Sequence, residues 1–291
     1  MKLIGFTTTH NESEMIKYVM PYVERIGYDK FVVYDNQSTD NTVELLQKYD
    51  FVEVRNWDTD GEFSEFKKLE KLNESYAECK RIAKINTPDE ELVWMSWTDF
   101  DEVIFCNSGI SAKKTLKSLY EYEHYNCFDG KMLNLTINKD AYDNTLLPHM
   151  NDKSRLSWCG LGWAKPILFA VNDFDNIQFQ LGNQLTFLEP TQGKHIVSLA
   201  NTMMFHVFHL KYIDKEIYCK RLERRKNQDS SEIGDAYQNS ILASSFPTEL
   251  YFALSGYYCV DNSDTKWFEG FHTYDDYNTI MGRFDKRNKL K

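Results

Sequence analysis

Over its first hundred or so residues the chain alternates short apolar runs with amphipathic ones, and this limits the fold more than any other feature. Residues 3–8 read as a strand. Residues 12–27 read as a helix, with Met15, Ile16, Val19, Val23 and Ile26 near the helical period and Gly27 as its stop. Residues 30–34 form a short run that is apolar on both faces. There follow a helix at 42–49 behind Asp40 as its N-cap, a strand at 51–57, a long helix at 64–86 and a strand at 92–97. Continuously apolar strands separated by helices belong to a mostly parallel sheet covered on both faces. The expected fold is therefore α/β and Rossmann-like, with helices flanking the sheet.

The second half is less regular. Residues 131–137, 167–171 and 203–210 read as strands, 214–227 as a basic helix, and 232–245 and 250–258 as weaker helical candidates. Residues 138–152 hold turn formers without an apolar period and read as a loop. The expected organisation is a first half at 1–106, a second half at 107–228 that completes the same domain, and a C-terminal helical extension at 229–291.

A chain of 291 residues with 42% hydrophobic content can bury a sizeable core. Its net charge of −10 argues against nucleic acid as the main partner. The 6 cysteines are scattered without ligand spacing, which favours buried thiols in a reducing compartment over zinc ligation. No secretory leader pattern and no membrane-spanning apolar run is seen, so a cytoplasmic location is expected.

Polar clusters directly follow three of the strand candidates. After the first come Thr7, Thr8, Thr9, His10, Asn11 and Glu12, hydroxyls and an amide suited to a base or ribose. The alternative is helix capping by Thr9 or Asn11. After the second come Asp35 and Asn36. A carboxylate there can accept from a uracil-type ring N–H or from ribose hydroxyls. Asp40 and Asn41 read better as caps. After the fourth strand come Asp99, Asp101 and Glu102. Residues two apart on a strand share a face, so Asp99 and Asp101 are expected to converge. Adjacent carboxylates repel unless a divalent cation sits between them and an anion. That would be a metal–diphosphate clamp at the carboxyl ends of the strands, where open α/β sheets bind ligands. An Asp-x-Asp pair is common by chance, so its weight comes from position. A later cluster holds His206, His209 and Lys211, then Lys215, Lys220, Arg221, Arg224, Arg225 and Lys226. Imidazole suits Mn2+ and the cations suit a leaving diphosphate. A core histidine beside a solvated basic face is the plainer alternative.

In this order, Thr8-x-His10-Asn11-Glu12, Asp35-Asn36-x-Ser38-Thr39-Asp40-Asn41-Thr42 and Asp99-x-Asp101-Glu102 resemble the motifs of family 2-type glycosyltransferases of the GT-A fold. The resemblance is greatest to the subgroup whose metal motif continues Asp-Glu. His209-x-Lys211, leading to Lys220 and Arg224, is similar to that subgroup's ending, although Leu210, Tyr212 and Gln184 depart from it. Coverage is good over 1–106 and thinner over 160–226. The resemblance implies an inverting, metal-dependent hexosyltransferase of polysaccharide biosynthesis. It would move a sugar from a nucleotide-diphosphate donor, UDP-sugar foremost, to a glycan or lipid-linked acceptor. Residues 1–106 would bind the nucleotide sugar and 107–228 the acceptor. Thr8, Asn11, Glu12, Asp35 and Asn36 would hold the nucleoside, and Asp99 the ribose or the metal. Asp101 would bind Mn2+ or Mg2+ directly, His209 would complete the coordination, and Lys211 or Arg221 would support the phosphates.

An inverting reaction also needs a base. Glu189 is the first candidate, because it lies in the half expected to take the acceptor; Glu102, Asp173 and Asp175 are alternatives. Trp158, Trp163 and Lys165 could form a sugar platform, or the tryptophans could be core.

Competing functions are a haloacid-dehalogenase-like phosphatase with Asp99 as nucleophile and Asp275-Asp276 as a late acidic pair, a sugar-1-phosphate nucleotidylyltransferase, and a non-catalytic carbohydrate-binding protein. Three strand–helix units before Asp99 count against the first, and the lack of a Gly-rich phosphate loop against the second. The basic helix and the tail with Arg283, Lys286, Arg287, Lys289 and Lys291 suit the anionic inner face of a membrane, with a soluble acceptor as the alternative.

Overall fold

The computed structural model describes residues 1–59, 64–106, 111–137, 156–180, 184–199, 205–212, 216–217 and 220–221. The loop expected at 138–152, the helices expected at 232–245 and 250–258, the extension 229–291, Arg224, Asp275, Asp276 and the basic tail lie outside the described residues.

The first seven elements come in the expected order: β1 (Lys2–Thr9), α1 (Ser13–Ile26), β2 (Lys30–Asp35), α2 (Thr42–Leu46), β3 (Val52–Asn56), α3 (Glu65–Ala83) and β4 (Val93–Trp97). Local chemistry sets their ends. Gly27 takes the left-handed conformation (φ 79°) that closes α1, its N–H bonded to the Glu24 carbonyl. The Ser64 hydroxyl caps α3, accepting from the amides of Phe66 and Lys67. α2 ends at Leu46, shorter than its apolar pattern suggests.

β5 (Glu102–Cys106) and α4 (Ala112–Glu123) follow, neither of them expected. β6 (Cys127–Ile137) starts before the expected strand, and the expected strand at 167–171 is the end of a much longer β7 (Leu156–Ala170). A 3-10 turn at Val171–Asp173 leads into β8 (Phe174–Gln180) and β9 (Gln184–Pro190), then β10 (Ser198–Leu199) and β11 (Phe205–Tyr212).

The chain divides into two units, Met1–Gly130 with Ala164–Val207, and Lys131–Trp163 with Phe208–Lys291. Among the described residues nine strands form one sheet, in the order β3-β2-β1-β4-β7-β6-β11-β5 with β10 beside β6. β3, β2, β1 and β4 are mutually parallel, and β7 joins β4 antiparallel through Trp94↔Ala170, Met95↔Phe169 and Ser96↔Leu168. The fold is thus α/β with a mostly parallel central sheet flanked by helices. In the second unit, the helical residues Glu216 and Lys220 form an exposed ion pair of 3.0 Å one turn apart.

α3 covers one face of the first unit's sheet. Leu72, Tyr76, Cys79 and Ala83 pack on Ile4, Phe6, Val32, Tyr34, Val93, Met95 and Trp97. These strand residues are two apart, as one face of a pleated sheet requires. Leu3, Phe31, Val33 and Trp94, of the opposite parity, are buried as well, which explains the unbroken apolar strands. The antiparallel hairpin β8–β9 is fastened to α3, where the Tyr76 hydroxyl and Lys80 ammonium donate to the Phe174 carbonyl at 2.8 and 2.7 Å. On β3, at the sheet edge, Arg55 donates two bonds to Glu78 of α3 (2.6 and 2.8 Å) and one to Glu53.

β1 crosses the centre of the parallel section, and Gly5 sits there under aromatic rings. A Cβ at Gly5 would lie 2.7 Å from ring atoms of both Tyr28 and Phe31. The Tyr28 hydroxyl in turn bonds Ser96 on β4 at 2.8 Å. Gly5→Ala is expected to destabilise the protein by about 1–3 kcal/mol, the usual effect of overpacking. A urea titration should show a lower midpoint at unchanged slope. An unchanged midpoint would contradict this packing.

Candidate functional site

The strand ends place the polar clusters side by side. Thr9 at the end of β1 is in register with Asp35 at the end of β2, and Phe6 of β1 with Trp97 at the end of β4. The loops after these strands therefore leave the sheet at one edge.

The first two loops are bonded to each other. The amide of Asn11 donates to the Ser38 hydroxyl at 2.8 Å, and its side-chain oxygen accepts from the amides of Thr39 and Asp40 at 2.7 and 3.3 Å. His10 Nδ1 donates to the Asn36 carbonyl, and the Glu12 amide to the Thr42 hydroxyl. The Asn36 side-chain oxygen accepts from Thr59 at 2.8 Å. Asn11 adopts φ 52°, a left-handed conformation that asparagine tolerates better than most residues. Asn11 and Asn36, expected on the nucleoside, thus use their side chains to hold the two loops. Thr8 is half-buried, and Glu12 is buried at the start of α1.

Asp40 caps both ends of this bracket, accepting from the Thr42 amide at 3.0 Å and the Ser13 amide at 3.2 Å. Burial pushes its pKa up, but the bonds from Thr42 and Ser13 outweigh that and hold the carboxyl below its ordinary range.

Asp35 differs from its neighbours. One carboxylate oxygen accepts from the Ser38 amide at 3.0 Å, while the other, Oδ1, is buried and has no partner among the described residues. The Thr9 hydroxyl, opposite it in register, is also buried without a partner. An unsatisfied buried acceptor costs about 1–3 kcal/mol. Such groups are rare in folded proteins and point to a missing partner. The sequence left Thr9 open between a nucleoside contact and a helix cap.

The acidic run departs from expectation in its geometry. β4 ends at Trp97, and residues 99–102 form a turn closed by the Glu102 amide on the Asp99 carbonyl at 2.9 Å. The strand rule that would align Asp99 with Asp101 does not apply on a turn. Asp101 and Glu102 are buried, and a Glu102 carboxylate oxygen lies 3.4 Å from the Asp99 amide. The Asp99 side chain is 35% exposed and pairs with the Lys68 ammonium at 2.5 Å.

Lys68 was not foreseen. It is 4% exposed, near the start of α3, with a second carboxylate, Glu65, at 3.6 Å. Burial would lower its pKa, but Asp99, then Glu65 and Glu102, raise it above the ordinary lysine value, so it stays protonated. The sequence did hold a signal. Lys68 falls on the buried stripe of α3 with Leu72, Ser75, Tyr76 and Cys79, where a lysine needs a partner.

Among the described residues no three His, Cys, Asp or Glu gather into a metal cage. Mg2+ at a nucleotide site is normally held by one or two carboxylates and the substrate's phosphates, so the acids of this turn fit such an ion.

The remaining candidates sit elsewhere. Glu189 is exposed on β9, opposite Asn176. Asp175 is exposed and accepts from Thr191 at 3.0 Å. Asp173 is a buried junction that accepts from Tyr120 and Asn126 at 2.8 and 3.0 Å and pairs with Lys194 at 3.0 Å. These bonds leave it poorly placed to act as a base. His209 is half-buried on β11, in the second unit together with Lys211 and Arg221. The side chains of Trp158, Trp163, Lys165, Gln184 and Lys211 lie outside the described residues.

Asp40→Ala should lower stability by about 1 kcal/mol near neutral pH, the usual effect of losing a cap. Because the folded carboxyl titrates below its unfolded value, its contribution is full above about pH 3.9 and fades as pH falls through the lower folded value. Denaturation midpoints of the two proteins should therefore converge in acid. A gap that stays constant down to strongly acidic pH would contradict the bracket.

The glycosyltransferase family 92 model matches residues 7–159, just over half of the chain. No curated protein matches it. Among solved structures, S. aureus TarS is 15% identical with a TM-score of 0.42, over 87% of this chain and 45% of TarS, so the chain spans under half of that protein. S. aureus TarS 1-349 in complex with UDP-GlcNAc is 14% identical with a TM-score of 0.39, over 92% of this chain and 78% of the other. A 4-diphosphocytidyl-2C-methyl-D-erythritol synthase is 12% identical with a TM-score of 0.31, over 60% and 76%. These likenesses are too distant to carry an argument, whereas the family match covers the bonded loops, Lys68 and the acidic turn. The chain belongs to glycosyltransferase family 92.

Proposed function

We propose that the chain transfers a sugar from a nucleotide-diphosphate donor, a UDP-sugar foremost, to a glycan or lipid-linked acceptor, with a divalent cation and with inversion. The observation that carries this is the unpartnered, buried Oδ1 of Asp35 beside the Thr9 hydroxyl. A uracil-type ring N–H or a ribose hydroxyl supplies the donor that Oδ1 lacks. The bracket of Asn11, Asp40 and Thr42 fixes the loops beforehand, so little ordering is left for the ligand to impose.

Asp101 would hold Mg2+ or Mn2+, with the diphosphate filling most of the coordination. When bound, the cation supplies Lewis-acid stabilisation of the charge on the departing nucleotide. Glu102 braces the turn through the Asp99 amide, a supporting position. The exposed carboxylate of Glu189 remains the proposed base on the acceptor hydroxyl. His209 and Lys211 belong to the second unit. The phosphatase alternative loses its footing with the family match, and Asp99 is already engaged by an ammonium. Among the described residues no helix is long and apolar enough to cross a membrane. A lipid-linked acceptor would be met through peripheral contact of the basic tail.

A thermal-shift screen of UDP-sugars with and without Mn2+ tests the donor class. Stabilisation that requires both is expected, and stabilisation by neither would overturn the proposal. Asp35→Ala should weaken UDP binding about 10- to 100-fold, in line with loss of a bond to a charged group. An unchanged affinity would remove Asp35 from the site. Asp101→Ala should abolish metal-dependent turnover while leaving the protein folded. Full turnover in that variant, or in excess EDTA, would sink the metal role.

A further inference from the structure

We infer that Lys68 is the resident counter-ion of the acidic turn: by holding Asp99 it keeps the turn from binding a divalent cation alone, so cation binding depends on the diphosphate. This rests on the donor-site reading above.

Three observations support it. First, Lys68 is buried on the apolar stripe of α3, next to Leu72 and Tyr76 in the helical register, where an aliphatic side chain would suffice for packing. A buried ammonium is expensive to keep unless it is paired. Second, its pair is Asp99 at 2.5 Å, one of the two acids expected to clamp the metal, and the Asp99 side chain is one-third exposed. The ammonium thus reaches from the core to the acids expected in the cleft. Third, Glu65 lies one helical turn before Lys68, with its carboxylate at 3.6 Å. The ammonium therefore keeps a partner if Asp99 turns away.

The charges follow from these positions. Asp99, Asp101 and Glu102 bring three carboxylates within four residues, a strong attractor for a dication. Lys68 occupies one of them and repels a second cation nearby. A nucleotide diphosphate reverses this, because its oxygens offset the added positive charge and supply the missing ligands. Asp101 then binds the cation that arrives with the nucleotide, while Lys68 positions Asp99. Lys68 is accordingly a positioning residue, acting through Asp99.

The test is Mn2+ binding to the full chain, read from the electron paramagnetic resonance signal of free Mn2+, with and without UDP. In wild type, UDP should tighten Mn2+ binding about tenfold or more. Lys68→Met should bind Mn2+ without UDP about tenfold tighter than wild type, and adding Asp99→Asn should remove that gain. Lys68→Arg, which keeps the charge, should stay near the wild-type affinity. A role confined to folding would lower the melting temperature of Lys68→Met and leave its Mn2+ affinity unchanged, which overturns the inference. Should Lys68→Met fail to fold, Lys68→Gln takes its place: it keeps a polar end beside Asp99 and Glu65 without the charge, and should show the same gain in Mn2+ affinity without UDP. An unchanged affinity in that folded variant overturns the inference. Failure of UDP to bind any form, measured by calorimetry, overturns the donor-site reading as well. UDP binding with no effect of Lys68→Met on Mn2+ overturns this inference only.

Discussion

The packing of α3 across β1, β2 and β4 is the contact on which the rest of the first unit depends. It buries one face of β1, β2 and β4, with Phe6, Tyr34 and Trp97 under Leu72, Tyr76 and Cys79. Burial of aliphatic and aromatic side chains contributes about 1.5–3 kcal/mol each, before the entropy of ordering the chain is set against it. The same packing fixes the strand ends, and with them Asp35, Thr9 and the acidic turn. It also carries Lys68 to Asp99, since a side chain near the start of a helix is positioned by the helix as a whole.

Polar groups at this edge fall into two sets. Most of the motif residues are satisfied by one another: Asn11, Ser38, Asp40 and Thr42 form a bonded bracket. A few are not, notably Asp35 Oδ1 and the Thr9 hydroxyl. This division is what preorganised recognition requires. The groups that hold the geometry are bonded to one another, and Asp35 Oδ1 and the Thr9 hydroxyl, the proposed ligand contacts, keep hydrogen-bonding capacity.

Much of the fold was legible in the chain. The strand–helix alternation, Gly27 as a stop and Ser64 as the start of α3 are local signals, written in side chains a few residues apart. The second half was less legible for a physical reason. β7 carries both Gly and Pro, and the β8–β9 hairpin gets its order from packing on α3, which no local pattern encodes. The polar clusters do follow the ends of β1, β2 and β4 as the sequence suggests, whereas the geometry of the acidic run differs from expectation. Alternation along a strand says nothing about a turn, so the alignment of Asp99 with Asp101 was inferred from the wrong backbone. Lys68 was missed because charged residues on helices are ordinarily solvated, and only its place on the buried stripe marks it. Asn11 is a polar residue expected on the nucleoside whose side-chain oxygen is bonded to the neighbouring loop.

α3 has a mechanical consequence as well as an electrostatic one. Lys68 near its start grips the acidic turn, while Tyr76 and Lys80 farther along hold the Phe174 carbonyl at the root of the β8–β9 hairpin. The two grips are about 12–18 Å apart along one uninterrupted helix. An α-helix with its backbone bonds intact is stiff over this length, so it fixes the spacing between the two grips. The turn and the hairpin, separated by some seventy residues of chain, are therefore the two ends of a single strut.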